Sequence, residues 1–354
     1  MSKKTLRIVD LFAGLGGFRL GIEAAAEDAG FSVQTAGFSE CDSFAMKSYQ
    51  AIHGQNGEVE MGDIREFVRS PASLGPIDIA AAGFPCQPFS MMGKEKGFSD
   101  NRGDVFFDLL TALRATRPAL VCLENVKGLR THNKGQSFLR VVTSIKDLGY
   151  EQVEHAVFNT SNYGLPQVRN RVFIVAKLKG KSIKGFSEEL VRNHFNSIPK
   201  KQIKVYSTVH NILKQDVADK YYLSDRIKPT ILSSGTGGFK ANSEINQTIA
   251  RPLTSTMVKM HRACQDNYYS DDFIRSRGRI STAKFTMKDM LKKRIRKITP
   301  REAFMLQGFS ETHVSLASRA GVSDHQLYKQ AGNAVSVNVV YAIFHYLFHK
   351  GGLD

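Results

Sequence analysis

Between residues 6 and 176 the chain alternates short β-compatible apolar runs with stretches of helical spacing, and no other feature narrows its fold as much. The runs are 6–12, 33–39, 77–82, 119–123, 154–158 and 171–176; helical spacing fills 18–29, 43–52, 105–115 and 137–148. Strands separated by helix-length segments predict βαβ units, and hence a Rossmann-like, doubly wound α/β sheet over 1–178. In such sheets ligands and reacting groups gather where the strands deliver their carboxyl ends. Those ends are therefore the places to look for chemistry.

The first run ends in a turn punctuated by Gly14, Gly16 and Gly17, which lets a ligand approach backbone amides at a helix start. The second ends at Glu40, about where an acid in nucleotide-binding units meets ribose hydroxyls. A short acidic loop, Gly62-Asp63-Ile64, follows the next helix. The third run opens into GFPCQPFS, 83–90, where Pro85 and Pro88 stiffen a loop that presents Cys86. A lone Cys is more often a small core hydrophobe, so the thiol needs partners before it can be read as a nucleophile. The fourth run supplies Glu124 at its end, and the last carries Arg169 and Arg171 at its entrance, spaced to share one face of an extended segment. A thiolate beside a carboxyl and a guanidinium can add to an electron-poor heterocycle, because the two partners take up the charge that develops on the ring. The Gly/Ser/Lys-rich stretch 91–103 has glycines suited to the hinges of a lid.

After residue 178 the rhythm stops. Residues 179–299 carry 25 basic and 10 acidic residues, whereas 1–178 carry 20 and 19 and 300–354 carry 4 and 4, so the net charge of +16 is concentrated in the middle. A smaller, irregular, basic domain facing a polyanion is expected there, with nucleic acid the most economical partner. From residue 300 order returns: a proline-started helix over 300–307 and a long apolar helix over 336–349 are expected to pack back on the first domain. Four scattered cysteines and the lack of any Cys-x-x-Cys or Cys/His spacing argue for a reducing compartment and no metal. No stretch offers about eighteen uninterrupted apolar residues, so the expected protein is cytoplasmic and off the membrane; a monomer is expected.

The ordered set DLFAGLGGFRLG (10–21), ECDSF (40–44), GDI (62–64), GFPCQPFS (83–90), ENV (124–126), QVRNRVFIVA (167–176), RKITPREAFMLQGF (296–309) and QAGNAVSVNV (330–339) resembles the cytosine-5 DNA methyltransferases of bacteria and their phages. The resemblance covers both ends of the chain and leaves the middle unmatched. It implies a fold in which an S-adenosylmethionine-dependent methyltransferase sheet carries a smaller target-recognition domain. It also implies that Cys86 attacks C6 of a cytosine flipped out of duplex DNA, that Glu124 meets N3 and the exocyclic amine, and that Arg171, supported by Arg169, holds O2. Phe12, Gly14, Gly16, Glu40, Asp63, Pro85 and Asn333 match positions around the methyl donor. Ser90 and the stretch RPLTSTMV (251–258), with Arg251, Thr254 and Thr256, match DNA-facing positions. A restriction-modification role, with a cognate endonuclease as a possible partner, follows from the same likeness. Two departures are Cys41, where the family often has a large side chain, and Met91-Met92, where small polar residues are common.

Three other readings remain open at this point. Some relatives methylate tRNA; a silent DNA-binding regulator could keep the fold; and the glycine turn alone would suit a nicotinamide-dependent oxidoreductase. The basic middle segment disfavours the first, the intact Cys86, Glu124 and Arg171 the second, and the Cys86 loop the third.

Overall fold

The computed structural model describes residues 3–67, 74–85, 105–178, 183, 185–236, 239–240, 243–257, 259, 261–277 and 287–350. Cys86, Ser90, Met91, Met92 and the lid expected over 91–103 lie outside the described residues.

The main sheet is formed by β1 (Thr5–Leu11), β2 (Ser32–Ser39), β3 (Val59–Glu60), β4 (Ile79–Gly83), β5 (Leu120–Val126), β6 (Gln152–Asn159) and β7 (Asn170–Lys177), in the order β3-β2-β1-β4-β5-β7-β6. The first five strands are parallel. β7 runs antiparallel to both neighbours. Its reversal follows from the short connection after β6, since a parallel return needs a crossover of a dozen or more residues. The entrance of β7 thus lies at the sheet edge where β4 and β5 exit, with Arg171 opposite Val126. Strand order reverses between β1 and β4, which makes their shared carboxyl end the topological switch point.

Helices α1 (Gly17–Asp28), α2 (Ser43–His53), α3 (Ile64–Phe67), α4 (Val105–Thr116), α5 (Gln136–Asp147) and α6 (Glu188–Ser197) follow the strands. The two-residue alternation of the strands divides the core. Ala80 and Ala82 of β4 join α4 and α5 side chains such as Leu109, Leu113, Val141 and Ile145 on one face. Ile79, Ala81 and Cys122 join Phe18 and Ile22 of α1 and Val191 and Phe195 of α6 on the other. Cys122 is fully buried and its thiol is pushed far up by desolvation, so it is the core hydrophobe that a lone cysteine usually is.

The basic segment contains α7 (Lys228–Leu232), β8 (Gly235–Thr236), β9 (Phe239–Lys240), β10 (Tyr268–Ser270), α8 (Asp271–Ser276), α9 (Met287–Leu291) and β11 (Ile295–Lys297). A small apolar cluster of its own includes Leu223, Ile231, Leu232, Ile245, Tyr268 and Ile295. Beyond it come α10 (Pro300–Leu306), α11 (Glu311–Arg319), α12 (Asp324–Asn333) and α13 (Val337–His349). α10 begins with Pro300 at its first turn and a reciprocal Thr299/Glu302 capping box, both legible in the string TPRE. α13 returns to the main sheet and packs on α1, where a Cβ built on Gly21 would stand 2.6 Å from Val340. The one described stretch apolar enough to suggest a membrane span, 324–349, is α12 and α13 broken at 334–336, and most of it is buried in this core.

Candidate active site

The turn after β1 places three residues in the left-handed region at alternate positions: Phe12 (φ 57°), Gly14 (φ 56°) and Gly16 (φ 76°). A bulky residue there is strained unless its surroundings hold it. Here the Phe12 amide donates to Ser39 Oγ at 3.1 Å and the Ala13 amide to the Ser39 carbonyl at 2.9 Å. Glu40 continues the same brace, its carboxylate accepting from the Gly14 and Asp42 amides at 2.8 Å each. Around Gly14 a Cβ would meet nothing within 4 Å, so space stands open over this backbone. Gly16 is closed instead, because His53 covers it and shares a hydrogen bond with the Leu15 carbonyl at 3.0 Å. Burial and nearby Arg19 bring His53 down to about 3, so it is neutral and acts as a wedge. Asp63 lies beyond β3, where Arg65 binds its carboxylate and holds it below the usual range.

At the switch point, Gly83 ends β4 directly opposite Glu124 of β5. Glu124 Oε1 pairs with Arg171 Nε at 3.0 Å, and the Glu124 Oε2 lies 3.6 Å from where a Cβ on Gly83 would be. Desolvation raises the carboxyl of Glu124 above its ordinary range, against the opposing pull of Arg171 and Arg169. A carboxyl tuned in this way holds its proton to higher pH than an ordinary carboxylate and can lend it to a ring nitrogen. Pro85, two residues past Gly83, is exposed at this edge.

Arg169 and Arg171 do not share one environment. Arg171 keeps to the edge with Glu124 and also donates to the Asn170 carbonyl at 2.9 Å. Arg169 is buried and donates to the carbonyls of Leu253 at 2.8 Å and of Gly332 and Ala334 at 3.0 Å each. Burial and Arg171 push it down to about 9, which leaves it charged at neutral pH. It is therefore a joint between the sheet, the 251–258 stretch and the turn after α12. The reason is local: Arg169 precedes β7, so strand alternation does not govern its side chain.

Two neighbours with no role assigned from the sequence complete the arrangement. Gln167, fully buried, accepts from the Leu253 amide at 2.9 Å and donates to the Leu306 carbonyl at 2.9 Å. Asn125, inside the ENV string, donates to the Phe84 carbonyl at 2.9 Å and so fixes the root of the loop that leads to Cys86. The signal for both was a polar residue in an otherwise apolar strand or beside it.

Of the DNA-facing candidates, Thr254 is exposed and its hydroxyl stands 3.5 Å from that of Thr256. Arg251 turns inward, donating through Nε to the Ala263 carbonyl at 3.0 Å, while its amide donates to Asn267 at 2.8 Å. Asn333 is exposed at the end of α12, two residues before Val335, which packs on Gly17 at the start of α1. Gly332 meets the other side: a Cβ there would come within 2.2 Å of the Thr254 backbone.

The sequence profile of the C-5 cytosine-specific DNA methylases matches residues 6–349. The chain is 34% identical over 337 residues to the Type II methyltransferase M1.ScrFI of Lactococcus lactis subsp. cremoris, covering 95% of this chain and 76% of that protein. It is 35% identical over 342 residues to M.HaeII of Haemophilus aegyptius, also a Type II methyltransferase, covering 96% and 92%. The crystal structure of the S. pombe Dnmt2 methyltransferase superposes with a TM-score of 0.74 over 98% of this chain and 99% of that one, at 19% identity, a likeness of fold. With the acid–guanidinium pair at the switch point and this match along nearly its whole length, the chain belongs to the C-5 cytosine-specific DNA methylase family and is a DNA cytosine-5 methyltransferase.

Proposed function

We propose that the protein methylates C5 of a cytosine flipped out of a specific duplex DNA sequence, through a covalent bond between Cys86 and C6, with S-adenosylmethionine as donor. The observation that carries this reading is the 3.0 Å Glu124–Arg171 pair beside Gly83, three residues before Cys86. A thiolate at Cys86 adds to C6 as Glu124 supplies a proton to N3 and Arg171 balances charge at O2; the electron pair released by addition develops at C5. After C5 is alkylated, loss of its proton re-forms the C5–C6 double bond and expels the thiolate. The base must leave the stack for any of this, as the chemistry of methyltransferases on DNA requires.

The residues of the first turn fit the donor. Open space over Gly14, a carboxylate at Glu40 fixed by two amides with lone pairs left over, and the adjacent Phe12 ring make a cradle for a nucleoside with two hydroxyls. S-adenosylmethionine would supply an electrophilic methyl group there. Glu40 would hold the ribose, Phe12 stack on the base, and Asp63 meet the adenine amine once it gives up Arg65; Gly16, Pro85 and Asn333 would border the same space.

Residues 179–299 form the recognition unit in this reading, 1–178 the catalytic one, and 300–354 the segment that returns to it. Ser90, Thr254 and Thr256 would face the duplex, and Arg251 would brace the loop that presents them. The likeness to Type II methyltransferases supports a restriction-modification setting, with a cognate endonuclease as partner; a cytoplasmic location and a monomeric enzyme complete the reading. Tritiated methyl transfer to duplex DNA, followed by bisulfite sequencing of DNA from expressing cells, tests polymer, position and site together. Label found only in tRNA would overturn the choice of polymer. Cys86→Ser should abolish transfer and keep DNA binding; turnover by that variant would refute the nucleophile.

A further inference from the structure

On the α1/α13 face of the sheet, three histidines come together that the reaction does not use. His194 lies on α6; His345 and His349 lie one turn apart on α13. His194 Nε2 is 2.8 Å from His345 Nδ1, and the His345 and His349 rings stack with centroids 4.2 Å apart and planes 10° apart. His349 Nδ1 is held by the His345 carbonyl at 2.8 Å, which leaves Nε2 as its outward ligand. One ligand atom from each of the three lies within 4.8 Å of the other two. The sequence hid this cluster, because 151 residues separate His194 from His345.

We propose that His194, His345 and His349 bind one borderline divalent cation of the zinc type, which clasps α6 to α13. Histidines at i and i+4 share a helix face, and neutral imidazole is a preferred ligand of Zn²⁺, Ni²⁺ and Cu²⁺ but not of Mg²⁺ or Ca²⁺. The neutral form is available: burial lowers His194, and burial with its two histidine neighbours brings His345 down to about 4. Coordination needs a lone pair at His194 Nε2 and at His345 Nδ1, which each ring provides by carrying its N–H on the other nitrogen, with no net proton change. Around a tetrahedral zinc the ligand nitrogens stand about 3.3 Å apart, so the 2.8 Å separation must open by about half an ångström. The exposed ring of His349 turns in from solvent to complete a three-nitrogen set, and water takes the fourth position. Asp28, bonded to the Tyr341 hydroxyl, favours positive charge at His345, whereas Lys350 opposes it at His194.

The test is calorimetric titration of the full chain with Zn²⁺, with Mg²⁺ as the comparison ion and Cu²⁺ electron paramagnetic resonance to count nitrogen ligands. One equivalent should bind with multiple imidazole nitrogens, and Zn²⁺ but not Mg²⁺ should raise Tm. His349→Ala alters an exposed ring, and His194→Gln keeps a polar group on α6; each should weaken binding at least about tenfold and abolish the Tm shift. Failure to bind one equivalent would overturn the site. So would binding of the same affinity in both variants, which would assign the ion to the thiols of Cys41, Cys86 or Cys264.

Discussion

At the scale of single residues, the site separates two arginines that the sequence presents as a pair. Arg171 balances Glu124, whereas Arg169 spends its donors on three backbone carbonyls. In the proposed mechanism Glu124 is the group that ties rate to pH. Its carboxyl is raised by desolvation, so its protonated form persists above the ordinary carboxylate range and is lost as pH rises through the raised value. Single-turnover methyl transfer should therefore fall on the alkaline side of that titration. Glu124→Gln, which cannot supply a proton, should slow the step by about 10²–10⁴ and remove that limb, with DNA affinity unchanged. A variant that keeps the limb would assign it to another group.

At the scale of elements, the end of α12 and the turn after it are pressed on both sides. Gly332 meets the Thr254 backbone, and Val335 meets Gly17 at the start of α1. Any side chain at 332 must push the Thr254 backbone away from α12, parting the carbonyls of Leu253 and Gly332 that Arg169 joins. Gly332→Ala should cost about 1–3 kcal/mol in denaturant unfolding and weaken DNA binding more than donor binding. An unchanged midpoint and DNA affinity would show that the two backbones can part freely. Much of this was legible beforehand: the periods of β1, β2, β4, β5 and β7 and of α1, α2, α4 and α5 fall close to their observed spans, because each is a strong local pattern and the helices close near Gly30, Gly54, Pro118 and Gly149. The placement of Glu124 and Arg171 at one edge was legible too. The inward turn of Arg169 and Arg251, and the roles of Gln167 and Asn125, were not, since each depends on carbonyls supplied from far along the chain.

For the whole molecule, charge and connectivity act together. The basic excess lies in 179–299, yet part of it is already engaged: Arg296 forms a fully buried pair with Glu302, and Lys228, Lys293 and Arg294 pair with Asp225, Asp272 and Asp219. In the proposed reading the remainder governs association with polyanion. The logarithm of DNA affinity should fall linearly with the logarithm of salt concentration, with a slope of about −0.9 per phosphate neutralised. Reversing a surface lysine of this segment to glutamate should flatten the slope while leaving the chemical step intact; a slope near zero in the unaltered protein would refute a phosphate-binding role.

The packing of α13 on α1 also sets a schedule. Tyr341 on α13 reaches Asp28 on α1 across 313 residues of chain, and the apolar face of α1 has no complete cover until that helix has been made. At about 5–20 residues per second, synthesis leaves this face waiting for roughly 15–60 s. The nascent protein therefore carries an uncovered greasy surface for far longer than a helix takes to form, and its yield in a cell should depend on chaperones that shield early segments during translation.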